Sequence, residues 1–298
     1  MNGSTYNQIR IFNMIAKEGS ISGAARILEM KTPSVSQALK VLENQLGLPL
    51  FTRTTRKIEL TEAGQLLFEN TAQPLQTLSL AFESVSDLNH TPSGKVRITM
   101  PRFVYQYILA PIYAEFCQRY PEIELEISLF DGTVDIIEQG FDLGIRFGDR
   151  IAEGMVARPL TPSKKDALFA SPTYLAQYGM PTNITDLQSH KFIYYRFITS
   201  NRLLPLILQD GDNPVHVDMK TALTVNDTEL MKDAALRGLG IGRLLESMVE
   251  KEFESGELVP ILPEAWSPVA GLFIYFHQHT QKAKRVRVLI DFLIEKTQ

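Results

Sequence analysis

Apolar positions recur every three to four residues along the first third of the chain. Beyond it they gather into short runs separated by helical stretches. Residues 6–18 put Ile9, Phe12, Ile15 and Ala16 on one helical face. A second helix carries Ile21, Ala24, Ala25 and Leu28, and a third carries Val35, Leu39 and Leu42. Ser20 suits the N-cap of the second helix; Thr32 is expected to cap the third, with Pro33 at its first position. Small residues at 23–25 allow two helices to cross closely, as a helix-turn-helix requires. Opposite the buried stripe, Ser34, Ser36, Gln37 and Lys40 face solvent. Short donors and acceptors, an amide and a cation suit phosphates and base edges. Gly47 ends the third helix, Leu48–Phe51 form an apolar turn, and 52–60 predict a basic β-hairpin, a wing beside the helices.

Thr61 can cap a long helix reaching about Asn89. Its apolar positions (Phe68, Thr71, Leu75, Leu78, Phe82, Val85) alternate spacings of three and four, a heptad seam. Such a helix spans about 42 Å at 1.5 Å per residue. Pro74 is expected to bend it. A three-helix domain offers too little surface to cover that seam, so Phe68, Leu75, Leu78, Phe82 and Val85 are expected to pair two copies of the chain. Residues 91–95 form a linker. From Val96 onward strand and helix alternate, which predicts parallel sheets covered by helices. Helices are expected at 105–119, 134–139, 172–177, 228–237, 245–253 and 283–295. Strands are expected at 96–100, 123–130, 142–147, 155–160, 166–170, 192–196, 215–225, 239–243 and 272–276.

Charge sharpens the picture. Residues 1–60 hold eight Lys or Arg against four Glu, a net +4, in a chain of 298 residues whose total is −4. Cation segregated at one end of an acidic protein is a footprint of phosphate binding. The length allows about two domains. The single cysteine, Cys117, excludes an internal disulfide framework, fits a reducing cytoplasm and is expected to be buried. Neither a signal peptide nor an apolar run of membrane-spanning length is visible, so a cytoplasmic protein is expected.

Catalytic motifs are missing: there is no phosphate-binding P-loop and no Gly-x-Ser-x-Gly elbow. Gly238-Leu-Gly-Ile-Gly242 superficially resembles a dinucleotide loop but follows a helix and leads into a strand. His277 and His279 lack the further ligands a metal needs, and no cofactor is expected. A ligand site has better support. In α/β sheets, ligands lie beyond the carboxyl ends of strands. Arg102, Phe103 and Arg146 fall there on one side, and Phe197, Thr199, Asn226 and Thr228 on the other. An arginine fork pairs with carboxylates, so a small anion is the expected ligand. The alternative for Arg146 is a pairing with Asp142 or Asp149.

The order Phe12, Ala16-x-Glu-Gly-Ser20, Ala24-Ala25, Leu28, Pro33-Ser-Val-Ser-Gln37, Leu42-Glu43, Leu46-Gly47, Leu50-Phe51-x-Arg53, Leu60-Thr-Glu-Ala-Gly64 resembles the DNA-binding domain of LysR-type transcriptional regulators. Gln37 departs from the arginine that many members carry. Tyr120-Pro121, Asp135–Gly148, Ala170–Leu175, Ala235–Gly242 and Arg287–Leu293 are similar, more loosely, to that family's effector domain.

The resemblance implies a multi-domain α/β protein: a winged helix-turn-helix (1–60), a linker and dimerisation helix (61–90), and a two-lobed α/β effector-binding domain (91–298). That last domain resembles a type 2 periplasmic binding protein, with lobes at 95–162 plus 266–298 and at 163–265. Thr32, Pro33, Ser34, Ser36, Gln37 and Lys40 would then meet the major groove, Ser20 a phosphate, and Arg53 and Arg56 the backbone or minor groove. Double-stranded DNA, a small-molecule effector and a second copy of the chain (homodimer or homotetramer) are the expected partners, with RNA polymerase a candidate. The competing reading is a soluble metabolite-binding protein or enzyme whose N-terminal helices serve only protein contacts.

Overall fold

The computed structural model describes residues 3–53, 58–86 and 91–297. Helices α1 (Gly3–Glu18), α2 (Ile21–Ile27) and α3 (Thr32–Leu46) enclose a core of Ile11, Phe12, Ile15, Ala24, Val35 and Leu39. Ser20 caps α2, its Oγ accepting the Gly23 N–H at 3.0 Å. The cap of α3 is Lys31 and not Thr32. Helical bonding already starts at the Lys31 carbonyl, which accepts from Ser34 and Val35, so Thr32 and Pro33 become the first two helical residues. Gly47, with φ at +69°, ends α3 in the left-handed region that glycine tolerates. Glu43 turns inward and accepts the Leu50 N–H at 2.8 Å, pinning the apolar turn that follows.

Strands β1 (Phe51–Arg53) and β2 (Ile58–Leu60) pair antiparallel as the base of the wing. Helix α4 (Glu62–Ser86) follows, with Thr61 Oγ1 accepting the Gly64 N–H at its start, and runs through Pro74. Its expected seam divides. Phe68 packs on the three-helix core and Thr71 accepts from the Asn13 amide at 2.8 Å, so the first half covers its own domain. Leu75 is half-buried. Leu78, Phe82 and Val85 are 52%, 80% and 68% exposed, so the second half presents an exposed apolar stripe.

The chain then builds β3 (Gly94–Met100), α5 (Arg102–Val104), a π-turn over Tyr105–Leu109, α6 (Tyr113–Arg119), β4 (Ile123–Leu129), β5 (Leu143–Phe147) and β6 (Val156–Pro159). The single helix expected over 105–119 is interrupted: the π-turn adds a residue and Pro111 follows. Only Phe116 of α6 is buried, and Cys117, one residue further round, is exposed, contrary to the expected buried thiol. The helix expected at 134–139 is a turn instead. Asp135 Oδ1 accepts the N–H groups of Ile137 and Glu138, both at 2.9 Å, and that local bonding displaces the helix.

A second lobe follows: β7 (Lys164–Ala170), α7 (Pro172–Tyr178), β8 (Lys191–Tyr195), β9 (Ile207–Asp210), β10 (Asn213–His216), β11 (Lys220–Val225), α8 (Thr228–Leu236), β12 (Gly242–Leu245), α9 (Glu250–Ser255), β13 (Val259–Ile261) and β14 (Pro268–Val269). The long strand expected at 215–225 is split, its first part serving the β9–β10 hairpin. The helix expected at 245–253 resolves into a 3-10 turn at Glu246–Met248 and the shorter α9. Gly238 ends the α8 region and Gly242 lies against the Phe169 ring, so the glycine run serves packing. Arg243 is buried and pairs with Asp166 at 3.1 Å, donating also to the Pro205 carbonyl at 2.8 Å.

The chain returns to the first lobe as β15 (Leu272–Phe276) and α10 (Lys284–Thr297). The five-stranded sheet is ordered β4-β3-β5-β15-β6. β3 is parallel to β4 and β5, whereas β15 runs antiparallel to β5 and β6, so the sheet is mixed rather than parallel. A strand supplied by a returning chain enters from the opposite end. The return falls near residue 270 and not at 266: Trp266 sits in the second lobe's core and β14 pairs with β7. The two crossing segments touch, with the Leu160 and Thr161 N–H groups donating to the Leu272 carbonyl at 2.8 and 3.2 Å.

Candidate functional site

Two surfaces concentrate polar chemistry. On the first, α3 exposes Thr32, Pro33, Ser34, Gln37 and Lys40, with Ser36 half-buried. Ser36, Gln37 and Lys40 line a groove closed by Leu48 and Pro49 of the following turn. Burial of Val35, Leu39 and Leu42 fixes the rotation of the helix, so the polar set must face out. Ser20 Oγ accepts a backbone hydrogen bond and keeps its own O–H for another acceptor. Arg53 ends β1; its side chain, and all of Arg56, lie outside the described residues.

The second surface is the cleft between the lobes. The carboxyl ends of parallel β3, β4 and β5 meet those of parallel β8 and β11. Arg102 donates its backbone N–H to Asp131 at 3.0 Å, while its exposed guanidinium makes no hydrogen bond or ion pair among the described residues. Phe103 stacks on Phe147 at 5.6 Å between ring centres and packs against both lobe cores. Thr199 crosses the cleft: its Oγ1 accepts the Thr133 N–H at 3.0 Å. Phe197 lies under the Arg150 guanidinium, 4.2 Å from the ring centre. Asn226 is exposed, and Thr228 opens α8 behind Asp227, whose Oδ1 caps the helix at Leu230.

Arg146 pairs with neither Asp142 nor Asp149, and it offers no open fork either. It is 4% exposed; Nη1 donates to the Ile145 carbonyl at 2.7 Å, and Nη2 to those of Phe130 and Gly132 at 3.0 and 3.3 Å. Nε has no partner. Burial pulls its pKa down, with Tyr275 and Asp131 opposing. Arg146 thus stiffens the loop that carries Gly132 and Thr133 to the cleft. Asp142 accepts the Arg97 N–H and Asp149 faces Arg150.

Several cleft groups had no local sequence signal. Tyr195 ends β8, and burial, with Asp131 and Asp227 nearby, pushes its phenol up to about 12, so it is a neutral O–H donor near pH 7. Gly132 lies close against the other lobe, since a Cβ there would fall 2.4 Å from Thr199 Oγ1. Away from the cleft, the His279 N–H donates to His277 Nδ1 and the Gln73 amide meets His277 Nε2, tying α4 to the first lobe. Among the described residues no three His, Cys, Asp or Glu side chains cluster as a metal site, and no helix is long and apolar enough to cross a membrane.

Comparison with known proteins agrees with this division. Residues 6–65 match the bacterial regulatory helix-turn-helix protein, lysR family, and residues 89–298 match the LysR substrate binding domain. The chain is 31% identical to the HTH-type transcriptional regulator PgrR of Escherichia coli, covering 95% of this chain and 94% of that protein. It is 30% identical to the regulator CrgA of Neisseria meningitidis, covering 97% and 96%. The solved structure of CrgA superimposes with a TM-score of 0.61 at 29% identity, covering 100% of this chain and 99% of that one. The full-length virulence activator AphB of Vibrio cholerae shares the fold, with a TM-score of 0.63 at 24% identity over 98% and 99%. Helix-turn-helix and two-lobed domain therefore stand in the order of a known family, and the chain belongs to the LysR-type transcriptional regulators.

Proposed function

We propose that this regulator reads double-stranded DNA through the solvent face of α3 and the adjoining wing, and that a small anion bound between its lobes modulates that reading. The observation that carries the first part is the outward display of Ser34, Gln37 and Lys40 on a helix whose opposite face is locked into a core. Gln37 contributes base discrimination, because an amide can donate to and accept from one base edge; Lys40 and Ser20 hold phosphates. The exposed apolar second half of α4 (Leu78, Val85) supports pairing with another copy of the chain, and a two-fold pair calls for a palindromic operator.

Salt titrations of full-length protein on captured genomic duplexes and scrambled controls test this. Lys40→Ala should lower affinity on both and shallow the salt dependence by about one unit of log–log slope for each phosphate no longer neutralised. Gln37→Ala should mainly remove discrimination, about 1–3 kcal/mol per site. Equal losses on both duplexes for Gln37→Ala would refute its base-reading role.

Support for an anion comes from Arg102, whose guanidinium is exposed at the cleft without a partner among the described residues, and from Tyr195, which stays a donor. Calorimetric titration of the full chain with a panel of small carboxylates should find one whose binding Arg102→Ala abolishes or weakens at least tenfold. Undiminished binding by the variant would remove Arg102 from the site.

A further inference from the structure

Besides the Thr133–Thr199 bond, the lobes are joined by a second set of contacts. The π-turn Tyr105–Leu109, closed by the Ala110 N–H on the Tyr105 carbonyl at 2.7 Å, carries Tyr107 to the other lobe. A π-turn rotates the residues that follow it relative to a regular helix and is frequent where a side chain must be re-aimed. The Tyr107 hydroxyl donates to the Met248 carbonyl at 3.2 Å and accepts from Lys232 Nζ at 3.4 Å. Lys232 also donates to the Met248 carbonyl at 3.4 Å and pairs with Glu252 at 3.1 Å and Glu229 at 3.5 Å. Only 14% of its side chain is exposed.

We infer that Lys232 and Tyr107 form a latch that holds the two lobes closed, fastened by the first-lobe Tyr107 hydroxyl on the second-lobe Lys232 ammonium and Met248 backbone carbonyl. The asymmetry of the contacts supports this. Lys232, Glu229, Glu252 and Met248 all belong to the second lobe and stay together when the lobes part; Tyr107 is the single first-lobe group in the cluster among the described residues. Burial depresses the Lys232 ammonium, but Glu252, Tyr107 and Glu229 together more than reverse that, so the donor stays charged. Releasing the latch therefore gives up one charge-assisted and one neutral hydrogen bond and strands no charge. That is a small, reversible step, about tenfold in the ratio of closed to open lobes when one such hydrogen bond is removed. This inference rests on the reading of the cleft as the effector site: a latch sets how much of the protein is already in the ligand-holding arrangement.

The test needs no ligand. Cys117 is exposed on the first lobe, and Asp212→Cys would add a label on the exposed β9–β10 turn of the second. Doubly nitroxide-labelled full-length chain, diluted into excess unlabelled Cys117→Ser chain to silence distances between copies, reports the interlobe distance by pulsed electron resonance. Wild type should give one narrow distance. Lys232→Met, which removes one bond, should add a longer population with the closed-to-open ratio reduced about tenfold, and Tyr107→Phe, which removes both, should reduce it further. Tyr107→Phe removes a half-exposed hydroxyl and leaves every second-lobe contact of Lys232 in place, so it decides the matter even if Lys232→Met fails to fold. A Tyr107→Phe distribution that superimposes on wild type overturns the latch. Because no carboxylate is present, that result is separate from whether Arg102 binds an anion.

Discussion

Gly271→Ala probes the place where the lobes are joined. A Cβ at Gly271 would fall 2.0 Å from the Thr161 carbonyl oxygen and 3.0 Å from the Pro162 carbonyl. Ordinary contact begins near 3.4 Å, and both obstacles are backbone, so no side chain can swing aside. One crossing segment must therefore move by about 1.4 Å relative to the other to restore van der Waals contact. Three hydrogen bonds span that gap: Leu160 N–H and Thr161 N–H to the Leu272 carbonyl at 2.8 and 3.2 Å, and Leu272 N–H to Thr161 Oγ1 at 2.9 Å. Each would exceed bonding distance after such a shift. Leu160 and Leu272 are 3% and 4% exposed, so water restores little. At about 1 kcal/mol per bond the substitution costs about 2–3 kcal/mol. For a domain of this size that is a fall in Tm of roughly 5–10 °C. Differential scanning calorimetry of full-length protein reads it directly in the effector-domain transition. A Tm within 1 °C of wild type would refute the claim that the crossing segments are in obligatory contact.

Two further measurements test the packing. Burial holds His190 below its ordinary value near 6.5, with Asp186 opposing, so the unfolded chain takes up a proton first as pH falls. Stability should therefore decline with acidification from about pH 6.5 down through the folded-state value, more steeply in wild type than in His190→Gln; equal slopes in denaturant titrations would remove His190 as the cause. Cys117 should react with a thiol reagent in the native protein at close to its denatured rate, and labelling that requires denaturant would contradict its exposure on α6.

What could be read from residue order is what short-range physics decides. Ser20, Gly47 and Thr61 act within three residues of themselves, and the stripe of Val35, Leu39 and Leu42 needs only helical period, so the reading head was legible almost to its caps. Its one slip, Thr32 for Lys31, is a single-residue shift set by where the first carbonyl is used. Errors in the second half share a different cause. Asp135 could continue a helix or bond its own following amides, and the latter won because the adjoining strand ends tie the loop down, with Arg146 on the Gly132 carbonyl. Cys117 lay on an apolar stripe only while 105–119 was one uninterrupted helix. The mixed sheet follows from a strand that arrives over 170 residues after β3, a separation no periodicity reports.

The cleft was legible as a place and illegible as a set of contacts, and the difference has a physical reason. Strand ends locate Arg102, Arg146 and Thr199, because carboxyl ends of parallel strands must share an edge. What each does there depends on the opposing lobe. Arg146, by contrast, turned from ligand fork to loop support because three backbone carbonyls of its own lobe converge on it. Thr133 with Thr199 and Tyr107 with Lys232 are partners 66 and 125 residues apart, each pair joining one lobe to the other. Neither pair stabilises a lobe by itself, and both exist only while the lobes are together. A regulator needs contacts of that kind: each lobe must fold whether or not the ligand is present, and the free energy separating open from closed must stay within the few kcal/mol that one small molecule can supply. Lobes with separate buried cores, joined across the cleft by a handful of hydrogen bonds and the packing of Phe103, meet that requirement.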